Sequence, residues 1–319
     1  MPSYDIITFG ETMIRLSPPA RQRLEAAEQL DYRVGGSESN TAIALARLGR
    51  SVSWFSKLTD NPLGRRITSQ ISRWGVDVSH TMWCEHGRVG VYFIEFGSSP
   101  RQHQVYYDRA DSAASRLTPD EVDWSVFDSA KHLHLTGITV ALSETCAATV
   151  ARAILEAKKR GLTVSFDVNY RQKLWSPSLA ATALSPLLTS VDLLICPLAD
   201  ATALFGCSGT THKVATTLQR QYGCRTVVVT AGGDGATAVE GGSVYFASAI
   251  PLEEVDRVGA GDAFNAGMIH GWLDGDLPLG LRYGMAMAAL KHTMPGDELI
   301  ATKAEIEALV HGGASGIQR

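Results

Sequence analysis

Residues 256–264 read Asp-Arg-Val-Gly-Ala-Gly-Asp-Ala-Phe, and a helical pattern runs on from them to Leu273. Small residues lead straight into that helix, so their backbone N–H groups lie open to close approach by a ligand. The first turn of a helix carries donors without intrahelical partners and the positive end of the macrodipole, which together favour a phosphate or a developing anion. Asp262 falls in that turn, where a carboxylate can accept a proton from a substrate hydroxyl. The plain alternative is a helix start with a favourable acidic residue and glycines kept for tight packing, and the short motif alone does not separate the two.

Upstream of this stretch, short apolar runs alternate with helical patterns. Ile6–Phe9, Val52–Phe55, His132–Leu135, Thr163–Asp167, Leu193–Cys196 and Thr226–Thr230 predict strands. Asn40–Leu48, Pro62–Trp74, Glu144–Arg160, His212–Tyr222, Gly261–Leu273 and Pro278–Met294 predict helices. Strands separated by helices imply an α/β fold: a doubly wound, mostly parallel sheet with helices on both faces. The unbroken apolar runs Leu193–Ile195 and Val227–Val229 suit strands buried on both sides. Two stretches break the rhythm. Ile14–Val34 is polar and poorly helical, and Val89–Tyr107 reads as extended segments joined by a turn at Gly97–Pro100. Together they predict a small β layer, either a lid over a site or a surface hairpin. The expected organisation is one α/β domain over 1–319 with lid segments at about 14–34 and 89–109.

The composition excludes several classes. Hydrophobic residues make up 45% and charged residues 19% of 319, ordinary values for a globular protein. The formal charge is −4 with no Lys/Arg run, so neither a nucleic-acid nor an anionic-membrane surface is expected. Five widely spaced cysteines without a CxxC argue for free thiols over a disulfide framework or zinc site. Met1–Gly10 lacks a basic segment followed by a long apolar one, and no run is long enough to span a bilayer, so a cytoplasmic protein is expected.

Other clusters carry weaker signals. Thr230-Ala231-Gly232-Gly233-Asp234-Gly235 follows an apolar strand, where an open parallel sheet binds its ligands. It suits a nucleotide phosphate or ribose, or is a plain hairpin turn, since 236–240 and 243–247 look antiparallel. It is not a P-loop, because no Gly-Lys-Ser/Thr follows. Gly35-Gly36-Ser37-Glu38-Ser39-Asn40 opens another helix. The paired glycines suggest close approach by a small polar ligand, while Asn40 can be a simple N-cap. Asp167-Val168-Asn169-Tyr170-Arg171 ends a strand. Arg171 there can bind a carboxylate or phosphate bidentately, or sit in a surface ion pair. Tyr92, Tyr107 and Arg109 lie on or beside the lid, where aromatics are commonly packing residues.

Taken in order, these clusters resemble the ribokinase-like family of carbohydrate kinases over nearly the whole chain. The signatures are the double-glycine segment at 35–40 and Gly259–Asp262 preceded by Asp256. Within the family the likeness is to the 2-keto-3-deoxygluconate kinases. It is carried by Gly10-Glu11, residues 35–40, YYDRADSAAS at 106–115, LHLTGIT at 133–139 and DVNYRQKLW at 167–175.

The resemblance implies transfer of the ATP γ-phosphoryl, with Mg²⁺, to the 6-hydroxyl of 2-keto-3-deoxygluconate. Asp262 would be the base, and the Gly259, Ala260 and Gly261 amides would hold the growing charge. It places Gly35, Gly36, Asn40, Tyr92, Tyr107, Arg109, Arg171 and Asp297 around the sugar acid, with an arginine facing the carboxylate. It places ATP along Asn169, Thr230, Gly232, Gly235, Gly259 and Gly261. A monovalent cation is left open, and a homodimer or higher homo-oligomer through the lid is implied. Two positions depart from the pattern. Pro197-Leu198-Ala199-Asp200 stands where the family carries Asn-x-x-Glu near the metal, so any role of Asp200 toward Mg²⁺ is expected to be indirect. Arg257 replaces a threonine, adding a cation either toward the phosphates or toward solvent. The rivals are a sibling kinase for fructose, another deoxy-keto acid or a nucleoside, and a non-catalytic sugar-binding protein on the same scaffold. A nicotinamide oxidoreductase would need a GxGxxG after the first strand, which is absent.

Overall fold

The first apolar run forms strand β1 (Tyr4–Phe9), and its residues part to opposite faces. Ile6 enters one core while Ile7 and Phe9 enter another, as the two-residue period of a strand requires. The protein is described by a computed structural model covering residues 3–312, so Met1, Pro2 and 313–319 of the expected 1–319 domain lie outside the described residues. From β1 the chain forms β2 (Met13–Ser17), β3 (Asp31–Gly35), helix α1 (Ser37–Arg47), β4 (Val52–Phe55), β5 (Lys57–Thr59), α2 (Pro62–Ser72), β6 (Met82–Cys84), β7 (Val91–Glu95) and β8 (Gln104–Asp108). It continues through β9 (Ala130–Thr136), α3 (Gly137–Ala141), α4 (Glu144–Lys159), β10 (Thr163–Asp167), α5 (Pro177–Leu188), β11 (Leu193–Pro197), α6 (Leu198–Phe205) and α7 (Thr211–Tyr222). It closes with β12 (Thr226–Thr230), β13 (Ala236–Glu240), β14 (Ser243–Ala247), α8 (Ala260–Leu273), α9 (Leu277–His292) and α10 (Lys303–Val310).

Eight strands form the main sheet in the order β14-β13-β12-β11-β10-β9-β1-β4. The six from β12 to β4 are parallel, and β13 and β14 add an antiparallel edge. β1 has β4 on one side and β9 on the other, so the winding reverses there. Such a switch point leaves a crevice at the C-terminal ends of the strands. One core, under α4, α5 and α7, includes Phe9, Leu135, Phe166 and Leu218. The other, under α1, α8 and α9, includes Ile6, Trp54, Val228, Phe264 and Met287. Helices on both faces of a mostly parallel sheet are therefore observed.

Local chemistry sets the helix starts. Asn61 accepts the Leu63 and Gly64 N–H groups ahead of Pro62, and Ser143 accepts that of Cys146. Each such cap contributes about 1 kcal/mol. α1 begins at Ser37 with extended Gly36 as its N-cap, three residues before the expected Asn40. Asn40 is therefore inside the helix, and the simple N-cap reading of it is excluded. The two segments that broke the rhythm supply the four strands of a small mixed sheet, ordered β3-β2-β7-β8. In it Arg15 pairs with Tyr92 and Tyr92 with Tyr107. Met13, Tyr92 and Ile94 make its own small core, against which Val258 of the glycine-rich stretch packs. All five cysteines are free, and no helix among the described residues is long and apolar enough to cross a membrane.

Candidate active site

Gly259 has φ +84°, the left-handed region, and a Cβ there would collide with the carbonyl oxygen of Asp297. Only glycine fits both demands. The turn it makes starts α8 at Ala260 and sets Asp262 in the first turn, as expected. The Asp262 carboxylate is 7% exposed and held on both sides. Ser37 Oγ donates to Oδ1 at 2.6 Å and Asn40 Nδ2 to Oδ2 at 2.7 Å. Asn169, with φ +41°, donates from Nδ2 to Ser37 Oγ at 2.9 Å. Desolvation pushes the Asp262 carboxyl up to about 6, with Ser37, Asn40 and then Arg171 opposing and Asp297 adding to the rise. Each oxygen keeps a free lone pair for a substrate hydroxyl.

Further carboxyls crowd behind it. Asp167 accepts from Asn265 Nδ2 at 2.7 Å and is pushed up to about 7 by desolvation and by the charges of Asp262 and Asp200. Asp200 accepts the Tyr170 N–H at 2.9 Å, which ties α6 to the turn carrying Asn169 and Arg171. Glu38 Oε1 accepts from Thr136 at 2.7 Å and Thr139 at 2.6 Å while Oε2 has no partner, and burial pushes this carboxyl up to about 7. No cluster of three metal-ligating side chains occurs among the described residues.

Beside the start of α8 a cleft of about 540 Å³ opens between Asp167, Thr230, Gly232, Gly233, Gly261 and Asn265. Its far wall is apolar, built from Ala249–Leu252, Phe264, Met285 and Ala289, and Arg257 lines its rim. Three of the residues expected along ATP, Asn169, Gly235 and Gly259, do not line this cleft. Gly235 (φ +95°) lets the chain pass the carbonyl of Ala247, with which a Cβ would collide, and Asn169 faces Ser37.

On the other side of Asp262 stands the small sheet. Arg15, from β2, is 1% exposed. It donates to Asp256 Oδ2 at 2.7 Å and to Asp297, whose second oxygen accepts from the Tyr92 hydroxyl. The double glycine answers to this packing. A Cβ on Gly35 would strike Asp297 and the Tyr92 hydroxyl, and one on Gly36 the Glu11 carbonyl and Thr12. The expected close approach is real, but protein groups make it. Arg109 lies 5.5 Å from the Tyr107 ring centroid and donates to Glu11 Oε2 at 2.7 Å. Its charge is thus already met within the chain. Arg171 is exposed, makes no ion pair among the described residues, and its charge partly opposes the rise of the Asp262 and Asp167 carboxyls. Tyr107 is exposed, its ring 5.9 Å from that of Tyr92.

Sequence reasoning missed Arg15, Glu11 and Glu38 as parts of the site. The available signals were one arginine in the otherwise apolar run Met13–Leu16, an acidic residue directly after Gly10 and another two residues after Gly36.

A glycine-led helix start that carries a buried carboxylate beside a cleft is the arrangement of a small-molecule phosphotransferase. The chain belongs to the PfkB family of carbohydrate kinases, whose family profile matches residues 4–303. It is 43% identical over 316 residues to a 2-dehydro-3-deoxygalactonokinase of Haloferax volcanii, covering 99% of each chain. It is 34% identical over 312 residues to a 2-dehydro-3-deoxygluconokinase of Thermoproteus tenax, covering 96% of this chain and 94% of the other. The crystal structure of a 2-dehydro-3-deoxygluconokinase from Thermotoga maritima superposes with a TM-score of 0.91 at 34% identity, covering 97% of this chain and 98% of that one.

Proposed function

We propose that this kinase phosphorylates the terminal hydroxyl of a six-carbon 2-keto-3-deoxy sugar acid, using ATP. 2-Keto-3-deoxygluconate is the expected substrate and its galactonate epimer the nearest alternative, since the relatives named above include kinases of both kinds. The observation that carries the reading is the Asp262 carboxylate, buried, pushed up to about 6 and held by Ser37 and Asn40 beside the cleft. In this account ATP lies along Thr230, Gly232 and Gly233, its base against the wall of Phe264, Met285 and Ala289. Its terminal phosphate points at the Gly259–Gly261 amides. Asp262 takes the proton of the sugar hydroxyl as the oxygen attacks phosphorus and the bridging oxygen leaves on ADP. Asp167, which lines the cleft, would hold Mg²⁺ together with the phosphates and water, with Asp200 acting indirectly through its charge, and the ion would neutralise phosphate charge. Arg171 is the arginine free to meet the substrate carboxylate, while Arg109 shapes the pocket through Glu11 and Tyr107. Gly35, Gly36, Asn40, Tyr92 and Asp297 complete its walls.

Supplying the two epimeric acids, fructose and a nucleoside with ATP and Mg²⁺ and scoring ADP release tests this. The acids should lead by at least an order of magnitude in kcat/KM, and a preference for fructose or the nucleoside would contradict the reading. The small sheet is also proposed to pair two subunits, because β3 and β8 are open edges carrying exposed Tyr32, Tyr106 and Tyr107. Sedimentation should then give at least a dimer, and a monomer at assay concentration would contradict it.

A further inference from the structure

Lys291, near the end of α9, is 0% exposed, yet it faces no carboxylate at hydrogen-bonding distance. Its Nζ donates to the backbone carbonyls of Asp256 and Met294, each at 3.0 Å. A long charged side chain is rarely buried whole, because desolvating an ammonium costs several kcal/mol. Here desolvation pulls the Lys291 pKa below the usual lysine value, while the charges of Asp256 and Asp297 oppose the fall and that of Arg15 adds to it.

The two carbonyls belong to the two loops that shape the start of α8. One loop brings Asp256, which accepts the Val258 N–H at 3.0 Å and the Gly296 N–H at 2.9 Å. The other brings Asp297, whose carbonyl fills the space a Cβ on Gly259 would need. The Val255 and Asp256 N–H groups donate in turn to the His292 carbonyl at 2.8 and 3.0 Å. The backbones of the two loops that fix the Gly259–Asp262 turn therefore converge on the buried Lys291 ammonium, while Arg15 pairs with their carboxylates. A cation between backbone carbonyls with carboxylates behind them is also what a weakly hydrated monovalent ion would find favourable, and an ammonium group and K⁺ are close in size.

We infer that Lys291 is a positioning residue that acts as a built-in monovalent cation, holding the two loops so that the Gly259–Gly261 amides and Asp262 keep their places. The inference rests on the phosphoryl-transfer reading of that turn. It requires the enzyme to work without an added monovalent ion, and it requires the space left by truncating Lys291 to accept one.

The test compares wild type and Lys291→Ala in choline, lithium, sodium, potassium and ammonium chloride at one ionic strength, by kcat/KM and by Tm. Wild-type turnover and Tm should vary less than about twofold and about 2 °C across the salts. Lys291→Ala should lose at least tenfold in choline and recover most of it in potassium or ammonium but not in lithium. Its Tm should rise in the same order. The Tm arm does not depend on the substrate, so a wrong substrate assignment and a wrong role for Lys291 give different results. Strong activation of the wild type by potassium would overturn the inference, as would a variant indifferent to the salts. A variant that folds only with potassium or ammonium supports it, and one that folds in none of the salts overturns it.

Discussion

At the scale of the residue, Asp262 is the group whose chemistry is most constrained. Its motif was legible because glycine, acid and helix start are all local. Its carboxyl must be ionised to accept a proton, so kcat/KM should fall about tenfold per pH unit below pH about 6. Ser37 donates to the charged form and holds the pKa down. Ser37→Ala should therefore move the acidic limb to higher pH, and a limb unmoved or shifted downward would break the assignment. Asp262→Asn should retain the fold and lower kcat by roughly 100-fold or more; near-normal turnover would remove Asp262 from the mechanism. Arg15 was not legible, because its partners Asp256 and Asp297 stand at the far end of the chain and only the fold joins them. Breaking a buried pair strands the remaining charges at a cost of about 3–5 kcal/mol. Arg15→Met should lower unfolding stability by about that amount in urea titration, and a loss below about 1 kcal/mol would mean the network is far less demanding than its burial suggests.

At the scale of the element, the parallel strands of the main sheet were readable from short apolar runs, unbroken in β11 and β12, and α4, α7 and α8 from their period and their caps or stopping glycines. α5 and α6 were not, since Pro186 interrupts the first and the second is eight residues long directly after Pro197. The small sheet was foreseen as extended segments, but its mixed order could not be, because the parallel β2–β7 pairing joins distant stretches. Its attachment to the body also escaped the sequence. Tyr92 reaches Asp297, and Lys173 donates to the Val105 carbonyl at 2.5 Å, so β7 and β8 are each tied to a loop at the site. The turn before α8 is the least tolerant element. Gly259→Ala would add about 1–2 kcal/mol of left-handed strain to a collision with the Asp297 carbonyl. It should lower both Tm and turnover sharply, and a variant that matches wild type in both would show that this turn does not need its observed geometry.

At the scale of the whole molecule, the winding reversal at β1 is what brings residues 35–40, 167–171 and 259–262 to one end of the sheet. No local pattern states which strands are neighbours, so the sequence indicated these clusters without their distances. That is why Arg109 and Arg171 looked equivalent until the fold separated them. Arg109 is committed to Glu11, whereas Arg171 stands exposed near Asp262 with no ion-pair partner among the described residues. A substrate carboxylate would give that guanidinium charge-assisted hydrogen bonds of about 1.5–3 kcal/mol each, and a neutral sugar would not. The most direct measurement is therefore kcat/KM of wild type and Arg171→Ala on 2-keto-3-deoxygluconate and on fructose. The account predicts that the acid is preferred, that the substitution raises its KM by roughly tenfold or more, equivalent to at least ~1.4 kcal/mol, and that any weak activity on fructose barely changes. Fructose as the better substrate, or an equal loss on both, would contradict the sugar-acid assignment and leave only a kinase of unassigned specificity.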